Sequence, residues 1–411
     1  MKMPNFSVVF LGGVFFDEDA ILEDSVGPVQ NAANSLQKKY ISGFVDQEDV
    51  ISVDIVNFPF IFPYPKFYKK KIYKPTRESG VFLGANIHER SFLNLRFFRF
   101  FSRAIGAFFC AFTILKKRKN NEIIFICYSM HFPFVLACFL LKIFCKKPIF
   151  GLIIPDLPEF MAVRSGIKKI IYNLFSKISY WLARRQDFVV LITQQMRDFF
   201  PKQPSFIIEG MSDFCRLDVD LASSCFNLPD NFFFYSGTLD KRYGILDLLA
   251  AFASDESGCS SLVVCGSGNA SEDVLSASMK NKRIVFLGQI PNKDVILIQK
   301  KANFLINPRK NSLEYTKYSF PSKIMEYMSS GTPVLMYKLD GVPSEYYDHC
   351  YTVDDFNRDL MCAIRNLSIM NNNETVKKGL GAKKFVFKNK NPRSQIFSLI
   401  DFIKEKFYVQ K

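Results

Sequence analysis

The chain reads as an α/β protein built from two doubly wound parallel-sheet domains. Three observations predict this. Strand, loop and helix patterns alternate along nearly the whole length, the mark of successive βαβ units. At 411 residues the chain is too long for one ordinary core, and suits two domains of about 200 residues each. One complete unit is also legible between residues 302 and 337. It has an apolar strand Ala302–Ile306, a polar loop, a short helix opened by Pro321 and closed by Gly331, and a second strand Thr332–Tyr337. In such sheets ligands sit beyond the carboxyl ends of the strands, so the loops there are where function is sought.

The first half opens with an apolar strand, Phe6–Leu11, running into Gly12-Gly13. Glycines at a strand end let a backbone approach a ligand, although any tight turn also uses them. Gly27-Pro28 then opens a helix through about Lys39. Further strands are expected at Ile51–Val56, Ile123–Cys127, Pro148–Ile154, Phe188–Ile192 and Ser205–Ile208, with helices between them. His131 follows the carboxyl end of one of these strands, where it either packs structurally or faces a ligand. Asp156 and Glu159 follow another, where they either face a ligand or cap the helix of residues 166–183. Glu209-Gly210 follows the last.

The second half begins near Asn231. The strand Phe232–Tyr235 leads into a loop from Ser236 to Gly244 and an amphipathic helix over residues 245–253. Ser261–Cys265 runs into Gly266-Ser267-Gly268, and Arg283–Leu287 into Gly288-Gln289-Ile290-Pro291. At the helix that Pro321 opens, the amides of Ser322 and Lys323 are free. Their partial charge, the helix dipole and the Lys323 ammonium together suit a diphosphate. Glu326, one turn further on, is placed to accept hydrogen bonds from a ribose diol.

The run Ser319-Phe320-Pro321-Ser322-Lys323, followed by Glu326-Tyr327 and Ser330-Gly331-Thr332-Pro333, resembles the donor-nucleotide site of family-4 retaining glycosyltransferases of the GT-B fold. The subset it resembles makes bacterial surface polysaccharides such as capsule and O-antigen. That resemblance implies two Rossmann-like domains facing a central cleft. The N-terminal acceptor-binding domain would span residues 1–210, with a C-terminal helix at about 386–411 packed back on it. A linker would cover 211–230, and the donor-nucleotide domain 231–385. The family carries two glutamates with seven residues between them. Here the first position is Tyr318, Glu326 is the second, and Glu314 lies four residues too early. The loop Ser236–Gly244 resembles the family's Gly-x-Leu loop around the diphosphate, with Thr238 and Tyr243 where Arg and Lys are common. Lys241 and Arg242 lie inside that loop, and Arg309 follows Asn307-Pro308. The resemblance thus implies donor contacts from Gly12, Gly13, Gly237, Thr238, Lys241, Arg242, Gly266, Gly288, Gln289, Ile290, Arg309, Tyr318, Ser319, Phe320, Pro321, Ser322, Lys323 and Glu326. His131, Lys323 and Glu326 would be catalytic, and Asp156, Glu159 and Glu209 would lie on the acceptor side.

Composition adds the setting. Ten Cys without a C-x-x-C pair, beside three His, argue against a zinc site and against a disulfide scaffold. With no signal peptide at Met1-Lys2-Met3-Pro4, the expectation is the reducing cytoplasm. The net charge of +15 is uneven: residues 1–60 carry −6, residues 61–210 carry +17 and residues 211–411 carry +4. The basic stretch includes Lys69, Lys70 and Lys71, then Lys116, Lys117 and Arg118. Between them Phe92–Leu115 is rich in Phe and Leu but interrupted by Arg96, Arg99 and Arg103, which suits a basic amphipathic helix at a bilayer surface, or a core helix with a solvated face. No nucleic-acid motif accompanies the charge.

The expected activity is therefore retaining transfer of a hexosyl or N-acetylhexosaminyl group from a nucleotide diphosphate-sugar. The acceptor would be a hydroxyl of a polyprenyl-diphosphate-linked glycan, and the enzyme peripheral to the inner face of an anionic membrane. No cofactor and no metal is expected, because amides and basic side chains carry the leaving charge. The alternatives are a sugar-nucleotide epimerase of the same fold and a non-catalytic assembly protein that has kept it.

Overall fold

The computed structural model describes every residue except 1–4, 28, 119–120, 162–166, 213–225, 256–257, 313 and 410–411, and omits the side chains of 160–169 and 171. The chain divides into two compact units, residues 1–211 with 392–411, and residues 212–391. Most of the segment expected to be a linker, 213–225, lies outside the described residues; beyond it Phe226 and Leu228 pack on the second unit's core.

The strands of the first unit are β1 (Phe6–Gly12), β2 (Val50–Asn57), β3 (Ile72–Tyr73), β4 (Ser79–Phe82), β5 (Ala85–Glu89), β6 (Phe92–Leu93), β7 (Glu122–Tyr128), β8 (Ile149–Ile154), β9 (Phe188–Leu191) and β10 (Ser205–Ile207). Eight of them form one sheet in the order β10-β9-β8-β7-β1-β2-β5-β4, while β3 and β6 make a separate antiparallel pair. The central strands β1 and β7 are apolar runs buried along nearly their whole length, as a sheet covered on both faces requires. Chain order reverses between β1 and β7, so the switch point of this sheet lies beside Gly12-Gly13 and the loop that carries His131.

Three expectations change here. The helix expected from residue 27 runs from Asn31 to Val45, after a short helix at Glu18–Asp24, and Pro28 itself lies outside the described residues. The edge of the sheet is not parallel: β4 pairs antiparallel with β5 through Leu83-Gly84. Both turn residues take positive φ, 50° and 81°, the primed geometry that matches strand twist in a two-residue hairpin. The aromatic helix starts at Phe98 and ends at Lys117, because Phe92 and Leu93 are drawn into β6 opposite β3.

Glu89, at the end of β5, is 4% exposed. It accepts hydrogen bonds from Asn57 Nδ2 at 2.9 Å and Tyr73 Oη at 3.0 Å, yet burial pushes its carboxyl up to about 7. The folded carboxyl therefore keeps a proton that the unfolded chain has lost above about 4.5. Stability should fall as pH rises through that window and level off above it. Glu89→Gln should remove most of the fall, on the order of 3 kcal/mol. Denaturant unfolding at pH 5 and pH 8 checks this; a parent protein equally stable at both would refute it.

The helix Pro392–Lys404 packs within the first unit. Gln47 Nε2 donates to the Arg393 carbonyl at 3.0 Å, and Lys404 pairs with Asp49 at 2.7 Å.

The second unit contains β11 (Phe232–Ser236), β12 (Ser261–Cys265), β13 (Ile284–Phe286), β14 (Phe304–Asn307), β15 (Val334–Met336) and β16 (Tyr351–Thr352). They form one fully parallel sheet in the order β13-β12-β11-β14-β15-β16. Successive residues of β11 enter opposite cores, Phe232 and Phe234 on one face, Phe233 and Tyr235 on the other. This is the doubly wound arrangement, and its switch point lies between β11 and β14.

Candidate active site

At that switch point a pocket of about 570 Å³ opens. Its floor is backbone. Gly237 N donates to the Cys265 carbonyl at 3.1 Å, Leu239 N to Ser267 at 2.9 Å and Gly266 N to Gly288 at 2.8 Å, so the loops after β11, β12 and β13 are bonded to one another. A Cβ at Gly266 would lie 1.8 Å from the Gly237 carbonyl oxygen, at φ +139°. Only glycine allows this approach.

The opposite wall is the loop after β14 and the helix Ser322–Ser330. That helix has Pro321 at its N-cap position and no side-chain cap, so its first-turn amides are left for a ligand. Tyr327 fixes it to the sheet. The Tyr327 hydroxyl donates to the Ser236 carbonyl at 3.0 Å and accepts from Ser236 N at 2.9 Å. Lys323 Nζ reaches Glu326 Oε1 at 2.7 Å, and Gln299 Nε2 donates to the same oxygen at 2.7 Å. Lys323 is thus held at the pocket wall by a carboxylate that is itself anchored.

Arg309 is the other cation. It is 8% exposed, donates to Ser319 Oγ at 2.7 Å, and lies 4.8 Å from the Tyr315 ring centroid and 5.3 Å from that of Tyr243. Its Nε has no partner, and among the described residues no carboxylate pairs with it. Burial lowers its affinity for the proton. A guanidinium held this way is short of an anion, and the pocket beside it can supply the place for one.

Eleven of the residues expected at the donor line this pocket: Gly237, Thr238, Gly266, Gln289, Ile290, Arg309, Ser319, Phe320, Pro321, Ser322 and Lys323. Others do not. Lys241 turns to Asp273 at 2.9 Å and Arg242 to Asp240 at 2.6 Å, and neither lines it. Gly288 serves through its carbonyl behind the Gly266 turn, Tyr318 stands outside the lining, and Glu326 sits behind Lys323. Sequence reasoning missed Tyr235, Ser236, Tyr243, Cys265, Ser267, Val295, Asn307 and Tyr327. Tyr327 lies one turn after Lys323, so helical spacing could have found it.

In the first unit Gly12 and Gly13 stand at the end of β1, where neighbouring side chains explain the absence of a Cβ: it would come within 2.5 Å of Gln37 Oε1 at Gly12 and 2.6 Å of the Phe60 ring at Gly13. His131 packs edge-on against Phe60 and Phe134, at 5.4 and 5.0 Å between centroids. Burial, with Arg103 and Arg99 nearby, holds its pKa well below the usual value, so the ring is neutral. Asp156, at the end of β8, reaches solvent, yet the protein around it pushes its carboxyl up to about 6. Glu159 accepts from the Tyr180 hydroxyl at 2.7 Å, and Glu209 is buried near Tyr40.

Residues 220–359 match the family described as glycosyl transferases group 1. The fold is GT-B, with its parallel-sheet, Rossmann-like domains. Sucrose-phosphate synthase from Thermosynechococcus elongatus superposes with a TM-score of 0.60 at 14% identity, covering 98% of this chain and 99% of that one. The α,α-trehalose 6-phosphate synthase of Burkholderia multivorans gives 0.61 at 10% identity, over 98% and 97% of the two chains. Anabaena HepE (Alr3699), solved in complex with UDP, gives 0.60 at 12% identity, over 97% and 100%. No curated protein sequence matches the chain.

Proposed function

We propose that the protein is a retaining glycosyltransferase that takes a hexosyl or N-acetylhexosaminyl group from a nucleotide diphosphate-sugar. The observation that carries this is the pocket of the group 1 domain, where uncapped helix amides, Lys323 and the unpaired Arg309 converge. They stabilise the departing diphosphate, whose own phosphate oxygen takes the acceptor proton on the face it leaves. The base packs near Gln289-Ile290, and UDP bound to HepE, of the same fold, supports a nucleotide donor. Because the chain's own groups supply the counter-charge, turnover needs no divalent metal. The test incubates the full chain with uridine, guanosine and thymidine diphosphate sugars and a lipid-linked acceptor, and measures released nucleoside diphosphate. Release that persists with a chelator is expected; absence of release from every donor, or strict Mg²⁺ dependence, would refute the reading.

The acceptor in this reading is a polyprenyl-diphosphate-linked glycan of surface polysaccharide synthesis, met at the inner face of the cell membrane. Support comes from three helices of the first unit. Phe98–Lys117 exposes Phe98, Phe101, Ile105 and Phe109, Phe132–Phe144 exposes Ile143 and Phe144, and Ile167–Ala183 exposes Ile170, Leu174, Phe175 and Trp181. The first of these is long and apolar enough to cross a bilayer, but one side of it is buried in the protein; it lies on the surface instead. Lys69 and Lys70 are spoken for, bonded to the Glu23 carbonyl and paired with Asp24 at 2.7 Å, so the docking face shifts from them to the helices. Phe98→Ser with Phe101→Ser should reduce co-sedimentation with phosphatidylglycerol vesicles several-fold. Partition equal to the parent's would remove the membrane from this reading and leave the sugar transfer standing.

A further inference from the structure

Helix Phe98–Lys117 carries on its inner side two arginines that, among the described residues, no carboxylate answers. Arg103 is 1% exposed; its Nη2 donates to the Pro59 carbonyl at 2.6 Å, its guanidinium lies 4.2 Å from the Phe92 ring centroid, and its Nε has no partner. Arg99, one turn earlier, donates to the Ile61 carbonyl at 3.3 Å and lies over the Phe100 ring. Among the described residues no Asp or Glu pairs with either, and burial lowers both pKa values, that of Arg99 to about 10. The helix makes the imbalance worse. It starts with no side-chain cap and no acidic residue in its first turn, so its positive end adds to the two cations. Beside them stands His131, neutral, with Nδ1 buried and unpartnered.

Buried charge without a counter-charge is unfavourable, and an anionic ligand would supply the missing sign. The place is the switch point of the first sheet, where a ligand is expected on topology alone. The same helix turns Phe98, Phe101, Ile105 and Phe109 outward to solvent, so cationic and apolar surfaces share one element. We propose that Arg99, Arg103 and His131 form a phosphate-binding site for the lipid-linked acceptor, receiving a phosphate group whose hydrocarbon chain runs along the exposed phenylalanines. This rests on the transfer reading above and assigns its acceptor a place in the first unit.

The test is calorimetry on the full chain, comparing the parent with Arg99→Gln/Arg103→Met. The probes are farnesyl phosphate, inorganic phosphate, farnesol and UDP. Farnesyl phosphate should bind the variant at least tenfold more weakly than the parent, while farnesol and UDP bind both alike. Inorganic phosphate should compete with farnesyl phosphate on the parent alone. Farnesyl phosphate binding that survives in the variant overturns the proposal. Farnesol binding the parent as tightly as its phosphate overturns it too. A parent that binds inorganic phosphate but not farnesyl phosphate would mean a free-anion site and overturn the lipid assignment. Arg103→Met removes an unpaired buried charge, so the variant should melt no lower than the parent. Should the double variant fail to fold, Arg99→Gln alone carries the same comparison. Failure of the parent to bind UDP would count against the transfer reading, separately from this site.

Discussion

Lys323→Ala is expected to weaken the binding of a nucleoside diphosphate by about 1.5–3 kcal/mol, one to two orders of magnitude in affinity, the scale of a charge-assisted hydrogen bond. Lys323 stands at the open end of a helix whose first-turn amides have no side-chain cap, across a pocket from glycine loops that leave room for phosphate. Its ammonium is oriented by Glu326 at 2.7 Å, and Glu326 is held in turn by Gln299. A nucleoside lacking phosphates should not register the change. Glu326→Ala separates two roles. If the carboxylate only positions Lys323, the double variant should cost no more than Lys323→Ala alone; if it also holds the ribose, the nucleoside itself should bind more weakly. Calorimetry with UDP and uridine on the three variants reads both. UDP affinity untouched by Lys323→Ala would move the donor site elsewhere.

The second large effect is structural. Gly266→Ala should destabilise the second unit by at least about 3 kcal/mol and abolish nucleotide binding with it. The reason is a backbone collision: the new Cβ would meet the Gly237 carbonyl oxygen at 1.8 Å, and that loop is tied to its neighbours by the Gly237–Cys265 and Gly266–Gly288 hydrogen bonds. No side chain can move aside to relieve it. Gly288→Ala is the internal control. Its φ is also positive, +64°, in the left-handed region, but nothing lies within 4 Å of the added methyl, so only the conformational term of about 1–2 kcal/mol remains. Thermal unfolding of the two variants checks the order; equal losses would show that φ, not the close approach, governs this loop.

The donor pocket was legible in the sequence to the extent that it is local. Pro321, Ser322, Lys323 and Gly331 announce a helix start, an anion site and a helix stop within eleven positions of one another, and capping physics needs no distant residue to decide them. Glycines at strand ends marked Gly237 and Gly266 in the same way. The central strands of both sheets could be read because a strand buried on both faces is written as an uninterrupted apolar run; β4, β5 and β16, at or next to the sheet edges, could not. Pairing between segments is different, since it depends on what each segment finds across space. Nothing local says that Phe92-Leu93 leaves its helix to pair with Ile72-Tyr73, or that Leu83-Gly84 turns an antiparallel edge onto a parallel sheet. Nor can spacing tell which cations are already answered. Lys241, Arg242 and Lys70 look like free charge in the sequence, but each lies within 3 Å of a carboxylate, at 2.9, 2.6 and 2.7 Å. Arg309, Arg99 and Arg103 look no different, yet folding has placed them in low-dielectric surroundings with carbonyls, hydroxyls and rings for neighbours and, among the described residues, no acid paired with them. The sequence by itself determined the parallel-sheet fold and the phosphate-binding helix, because both are set by neighbours along the chain. Only the tertiary structure decided which positive charges remain uncompensated, because the counter-charge comes from a residue brought near in space.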